Sequence, residues 1–276
     1  MAGPRPQREA FYLPGGAAGE RFCLLTLAPD AVGTLIFVHA FAEEMNKSRR
    51  MVALAVDAFA SRGWSTLQID LTGCGDSGGE FEEASWQSWI QDCRDAYAWT
   101  SARRPGQIAL WGMRGGALVL ADWLRSEDVA VPLLLWQPVS NGRQHLTQFL
   151  RLKAASEMMA DIDAKAAMDA ARASLKAGVS VQVAGYAMPP ALAQGFETAS
   201  LGLREAYSAP VVALEVGSAG REDVTPALRM LVDRWQGGGI AARAEAIAGP
   251  AFWQTLEIET CPELIDASVR VLEAFA

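Results

Sequence analysis

Gln107 to Leu120 reads QIALWGMRGGALVL, and this stretch decides the fold. Ile108 to Trp111 is a short apolar strand. Gly112-Met113-Arg114-Gly115-Gly116 is a sharp turn, and Ala117 to Leu120 continues as a buried helix. The glycines answer a steric need, because strand and helix approach too closely there to admit a Cβ. Such a turn lifts one side chain clear of the end of the sheet. That side chain is Arg114, a permanent cation that cannot be acylated. A cation at a helix N-terminus opposes the macrodipole by about 0.3–1 kcal/mol. Arg114 therefore needs a carboxylate partner, either Glu43, Glu44 or Asp223 or one on a ligand. The internal ion pair and the ligand anchor are compatible.

On either side of the turn, strand and helix patterns alternate. Residues 1–20 read as a loose arm. Phe22–Ala28, Thr34–Val38 and Ser65–Ile69 read as strands, and His39 to Arg50 as a polar loop leading to a helix over Met51–Ala60. Asp70 to Gly79 is a glycine-rich loop, and Trp86–Ala102 an amphipathic helix. Val131–Trp136 is the strand after the turn. From Ser140 to about Leu203 the rhythm changes, with a long Ala- and Met-rich helical stretch over 144–176 and a short β-like run over 179–183. Pro210–Val216, a helix from about Thr225 to Gln236, Ile240–Ile247 and a closing helix over Pro262–Ala276 resume the earlier pattern. The chain is thus expected to be α/β, a mostly parallel central sheet with helices on both faces. Its expected division is a core over 1–139, a helical cap insertion over 140–205, and the rest of the core over 206–276. Ligands in such sheets bind at the carboxyl ends of the strands, where the loops bearing His39, Asp70, Arg114 and Asp223 are expected to meet.

Three spaced motifs resemble those of the α/β-hydrolase superfamily. His39-Ala40-Phe41 is similar to the His-Gly-Phe oxyanion loop, DLTGCGDSGG (70–79) to an Asp-x-Arg-Gly-x-Gly-x-Ser loop, and GMRGG (112–116) to the nucleophile elbow. FAEEMNKSRRM (41–51), the Gly-x-Arg elbow, VAGYAMPP (183–190) and GPAFWQTLEIETCPEL (249–264) further resemble the hydrolase-like proteins found with exosortase A and exopolysaccharide gene clusters. The resemblance implies an α/β-hydrolase fold over roughly residues 20–276 outside the cap, and an association with exopolysaccharide systems.

Set against a Ser-His-acid mechanism, the sequence is deficient. The nucleophile position holds Arg114. The base is expected near Gly249 to Gln254, but the chain has only His39 and His145. Asp223 matches the position of the acid, yet an acid with no histidine orients nothing. Loss of nucleophile or base alone costs such an enzyme on the order of 10⁶ in rate. The expectation is therefore a binding role in the old cleft, for a small-molecule ligand or a protein partner; that the ligand is of saccharide type is implied by the family resemblance alone. The alternative is a hydrolase with a non-standard site built on Glu44, His39 and Arg114. The candidate pocket comprises His39, Phe41, Glu43, Glu44, Asn46, Met113, Arg114, Gly115, Asp223, Phe252 and Trp253. In bland readings, His39 shapes its own loop, Glu43 to Arg50 is a solvated helix start, Asp70 to Gly79 is a structural turn, and Arg143 and His145 belong to the surface or to cap packing, with pocket lining as their alternative.

Composition narrows the rest. A net charge of -8 argues against nucleic acid and anionic membrane surfaces. No apolar h-region opens the chain and no run of about 18 apolar residues occurs, so neither a signal peptide nor a membrane span is expected. Cys23, Cys74, Cys93 and Cys261 lack metal-ligand spacing and read as free thiols of a cytoplasmic protein. Neither a dinucleotide fingerprint nor a P-loop is found, and no cofactor or metal is expected.

Overall fold

The computed structural model describes residues 6–16, 18–104, 106–158, 163–218 and 220–276. Strands are β1 (Gln7–Leu13), β2 (Arg21–Leu27), β3 (Gly33–Val38), β4 (Trp64–Ile69), β5 (Gln107–Met113), β6 (Leu133–Trp136), β7 (Val181–Val183), β8 (Tyr186–Met188), β9 (Val211–Gly217) and β10 (Ala242–Ala248). Helices are α1 (Glu43–Ala60), α2 (Trp86–Arg103), α3 (Gly116–Ser126), α4 (Gly142–Met158), α5 (Ala164–Lys176), α6 (Pro190–Thr198), α7 (Pro226–Gly237) and α8 (Pro262–Phe275).

Eight strands form one sheet in the order β1-β2-β4-β3-β5-β6-β9-β10. From β4 to β10 every pairing is parallel, and β2 runs antiparallel to both of its neighbours. All six residues of β3 are buried, as a parallel strand covered on both faces requires. Alternation divides its side chains: Leu35 and Phe37 pack with α1 and α8, whereas Ile36 and Val38 pack on the side of α2 and α3.

Three expectations need correction. The arm over 1–20 contains β1, an edge strand paired over seven positions with β2. Its residues are mostly exposed, so burial leaves no apolar signature to read. The polar stretch over 43–50 is not loop but the first turns of α1, whose acidic start suits the helix dipole. The stretch over 144–176 is two helices, α4 and α5, and Asp163 caps the second by accepting from the Ala166 N–H at 2.8 Å.

The loop over 70–79 is held by a buried network. Asp92 of α2 accepts from Arg21 Nε (2.6 Å), Thr72 N–H (2.6 Å) and Thr72 Oγ1 (2.7 Å). Ser77 Oγ accepts from Phe22 N–H and donates to the Asp70 carbonyl. These bonds assign the loop to structure.

Candidate functional site at the elbow

Arg114 links β5 to α3 with φ at 52°. A non-glycine residue is held there only when its surroundings over-determine it. Its N–H donates to the Trp136 carbonyl at 3.0 Å, and its own carbonyl accepts from Ala117 N–H at 3.2 Å. A Cβ on Gly116 would lie 2.4 Å from the His39 carbonyl oxygen, which explains the glycine. Ala42 and Gln137 also have positive φ, at 51° and 43°. Three such residues thus stand past the carboxyl ends of β3, β5 and β6, where backbone strain marks functional sites in other proteins.

The guanidinium is caught between a carboxylate and an aromatic ring. Glu44 Oε1 accepts from Arg114 Nη2 at 2.7 Å and from Nε at 3.1 Å. The guanidinium carbon lies 5.3 Å from the centre of the Trp253 ring, within cation–π range. Arg114 and Glu44 side chains are only 14% and 20% exposed. The carboxylate offsets the dipole penalty, so the partner foreseen for Arg114 is Glu44 rather than Asp223.

His145, in the first turn of α4, closes over the same spot. It is buried, packed edge-on against Phe41 and tilted against Phe196, and its Nε2 lies 3.8 Å from Glu44 Oε2. Neither ring nitrogen has a hydrogen-bond partner, and neither does Glu44 Oε2. Burial first, and then the Arg114 charge, push His145 down to about 4, against the opposing pull of Glu44.

Two cavities flank this cluster. One, of about 260 Å³, is walled by Phe41, Glu43, Glu44, Lys47, Phe149 and Trp253. The other, of about 270 Å³, is more polar and is walled by Ser140, Asn141, Gln144, Glu215 and Thr225. Arg114, His145 and Gln148 line both.

The other candidates divide. Phe41, Glu43, Glu44, Arg114 and Trp253 come together, and Gly115 packs beneath Phe41 and His145. Asn46 is exposed, and with Glu43 it bonds the Tyr186 hydroxyl of β8. Met113 and Phe252 are buried in the core on the α1 and α8 side.

Two candidates are corrected. His39 Nδ1 bonds the Ala40 carbonyl at 2.7 Å and its Nε2 accepts from Leu71 N–H at 3.2 Å, so both nitrogens are committed to backbone. Its ring lines a different cavity, with Ser48, Arg49 and Asp70. Asp223 is 81% exposed, pairs with Arg229, and lines a surface cavity with Arg243 and Glu245. The carboxylate of β9 that lines the more polar of the two Arg114 cavities is Glu215, which accepts from Arg221, Thr225 N–H and Thr225 Oγ1.

The sequence offers His145 as cap packing or pocket lining, and it does not single out Glu215. His145 had one available signal, the rarity of histidine in the chain. Glu215 sits inside an apolar strand pattern, and a lone acid there was itself a sign. Among the described residues, no group of three or more His, Cys, Asp or Glu side chains is arranged to hold a metal ion. Nor, among them, is any helix long and apolar enough to cross a membrane.

The model of the serine aminopeptidase S33 family matches residues 29–180, more than half of the chain. The chain belongs to this family. Solved structures with the same fold cover nearly the whole of this S33-family chain. GrgF, an alpha/beta hydrolase from Penicillium sp. sh18, aligns with a TM-score of 0.62 at 15% identity over 98% of this chain and 99% of that one. Est1E from Butyrivibrio proteoclasticus, solved with ferulic acid bound, gives 0.61 at 14% over 96% and 97%. An alpha-beta serine hydrolase homologue from Coxiella burnetii gives 0.55 at 15% over 97% of both chains. At these identities the likeness establishes the α/β-hydrolase fold. No curated protein sequence matches the chain.

Proposed function

We propose that this α/β-hydrolase-like chain no longer uses the Ser-His-Asp mechanism and instead binds a ligand or partner in the old cleft. The supporting observation is the pairing of Arg114 with Glu44 at the elbow. The group standing at the nucleophile's place is a cation neutralised from within, over an aromatic floor where the base is expected. In this reading residues 140–205 act as the cap, and α4 supplies His145 and Gln148 to the cleft. The resemblance to exosortase A-associated proteins points to a saccharide-type ligand, or a partner in exopolysaccharide assembly, in the cytoplasm.

A second reading, hydrolysis of an ester or related bond at a non-standard site, is favoured by one observation. Glu44 lines the cavity, and its Oε2 is buried without a hydrogen-bond partner. Glu44 would activate water and Arg114 would polarise the substrate. His39 drops out of that scheme because both of its nitrogens are occupied.

The test is fluorophosphonate labelling read by intact mass, beside turnover of short-chain p-nitrophenyl esters and thioesters. The expected result is no adduct and no turnover above buffer. An adduct, or turnover abolished by Ser77→Ala or Ser140→Ala, overturns the binding reading. Turnover abolished by Glu44→Gln without an adduct supports the second.

A further inference from the structure

Three polar atoms without partners lie together above the elbow: His145 Nδ1, His145 Nε2 and Glu44 Oε2. A buried polar atom left unpaired is costly, and natural proteins seldom leave several in one place without reason. Nε2 and Oε2 are 3.8 Å apart, too far to bond each other. One atom standing to the side of that line can lie at hydrogen-bond distance from both. All three atoms are closed to solvent, while the His145 ring lines both cavities, so such an atom would arrive from the cleft as the ring turns slightly away from Glu44.

Charge selects what that atom is. Glu44 already neutralises Arg114 through its other oxygen, so the cluster carries no net charge with a neutral imidazole. An added anion would face the Glu44 carboxylate, and an added cation would face the guanidinium. Glu44 Oε2 can only accept. The neighbouring carboxylate favours the tautomer with the proton on Nε2, which can then only donate. The group that accepts from one and donates to the other is a hydroxyl. Phe41 and Phe149 border it with apolar surface suited to C–H groups.

We infer that His145 and Glu44 form a subsite for one hydroxyl of a neutral polyol, such as a hexose ring, with Nε2–H donating to the hydroxyl oxygen and the hydroxyl donating to Glu44 Oε2. This rests on the binding reading of the cleft given above.

Long-range ¹H–¹⁵N NMR of the imidazoles of the full chain tests it, because the chain has only two histidines. His39, fixed by backbone on both nitrogens, is the internal control. The probes are the methyl glycosides of glucose, galactose and mannose, each against its uronate. The expected result is a saturable shift of the His145 nitrogens with a neutral glycoside, Nε2 remaining protonated, and His39 unmoved. Glu44→Gln should weaken that binding about tenfold or more, and His145→Phe should do the same. Unmoved His145 resonances with all three glycosides overturn the inference, as does a uronate binding as tightly as its neutral counterpart. A shift unaffected by Glu44→Gln also overturns it, leaving only water at the position. A fluorophosphonate adduct sinks the binding reading regardless of the histidine. Unmoved resonances with no adduct sink only the subsite.

Discussion

Glu44 Oε1 lies 2.7 Å from Arg114 Nη2, so the first turn of α1 neutralises the residue that stands at the elbow. Seventy positions separate the two residues, and the pair is mostly shielded from water. Removing either partner therefore leaves a charge without its counterion. Glu44→Ala should destabilise the chain by about 2–4 kcal/mol in urea unfolding, and Arg114→Ala by less, since Glu44 can turn to the Lys47 side of the cavity. The Arg114→Ala/Glu44→Ala double variant should recover at least about 1 kcal/mol relative to the sum. Additive losses would mean the pair carries no coupling.

Arg114→Ser should not create a serine hydrolase. The place where the base is expected holds Phe252 and Trp253, both buried. A hydroxyl without its base forfeits a factor on the order of 10⁶. Ester turnover by the Arg114→Ser protein should equal that of the unaltered chain. Rapid fluorophosphonate labelling of the introduced hydroxyl would show that His145 can serve as a base from the cap side.

Gly116→Ala should be among the most damaging single-atom additions to this chain. Its methyl would lie 2.4 Å from the His39 carbonyl oxygen and 2.5 Å from that of Val38, and backbone cannot swing aside as a flexible side chain does. A loss of about 3 kcal/mol or more is expected from thermal or urea unfolding. Gly178→Ala, where the space is open but φ is +82°, measures the conformational penalty alone and should cost less.

Acid should weaken the fold through histidine. The His145 pKa is lowered in the folded chain to about 4, from 6.5, chiefly by burial, so below pH 6.5 the unfolded chain binds the proton that the folded chain refuses. Stability therefore falls as pH drops from about 6.5 to 4, at about 1.4 kcal/mol per unit for one such group. His39 is also lowered by burial and adds to the slope in the same direction. His145→Phe should flatten the profile between pH 6.5 and 4 without abolishing it. Urea midpoints across that range decide the matter, and an unchanged slope in His145→Phe would show that His145 contributes nothing.

The sheet was legible because its strands are buried on both faces and punctuated by glycine, so apolar runs such as TLIFV speak for themselves. The exposed edge strand β1 has no such run. Helix α1 hid its start because its first two turns face solvent and the cleft, and polar residues there look like loop. At the site, Arg114 declared its need for a carboxylate, and Glu44 was among three named. Asp223 faces outward, and position after a strand says nothing about whether a loop turns inward. The place of His145 over the elbow is not legible, because no local pattern reveals that the first turn of α4 folds down over Gly115.

Glu43 and Glu44 are neighbours on one helical turn, yet they answer to different masters. The hydroxyl of Tyr186, in the β7–β8 hairpin, bonds the first, and the elbow guanidinium bonds the second. The β7–β8 hairpin and the elbow cation are thus tied to successive residues of α1. A displacement of the first turn of α1 would therefore be felt at both the hairpin and the elbow.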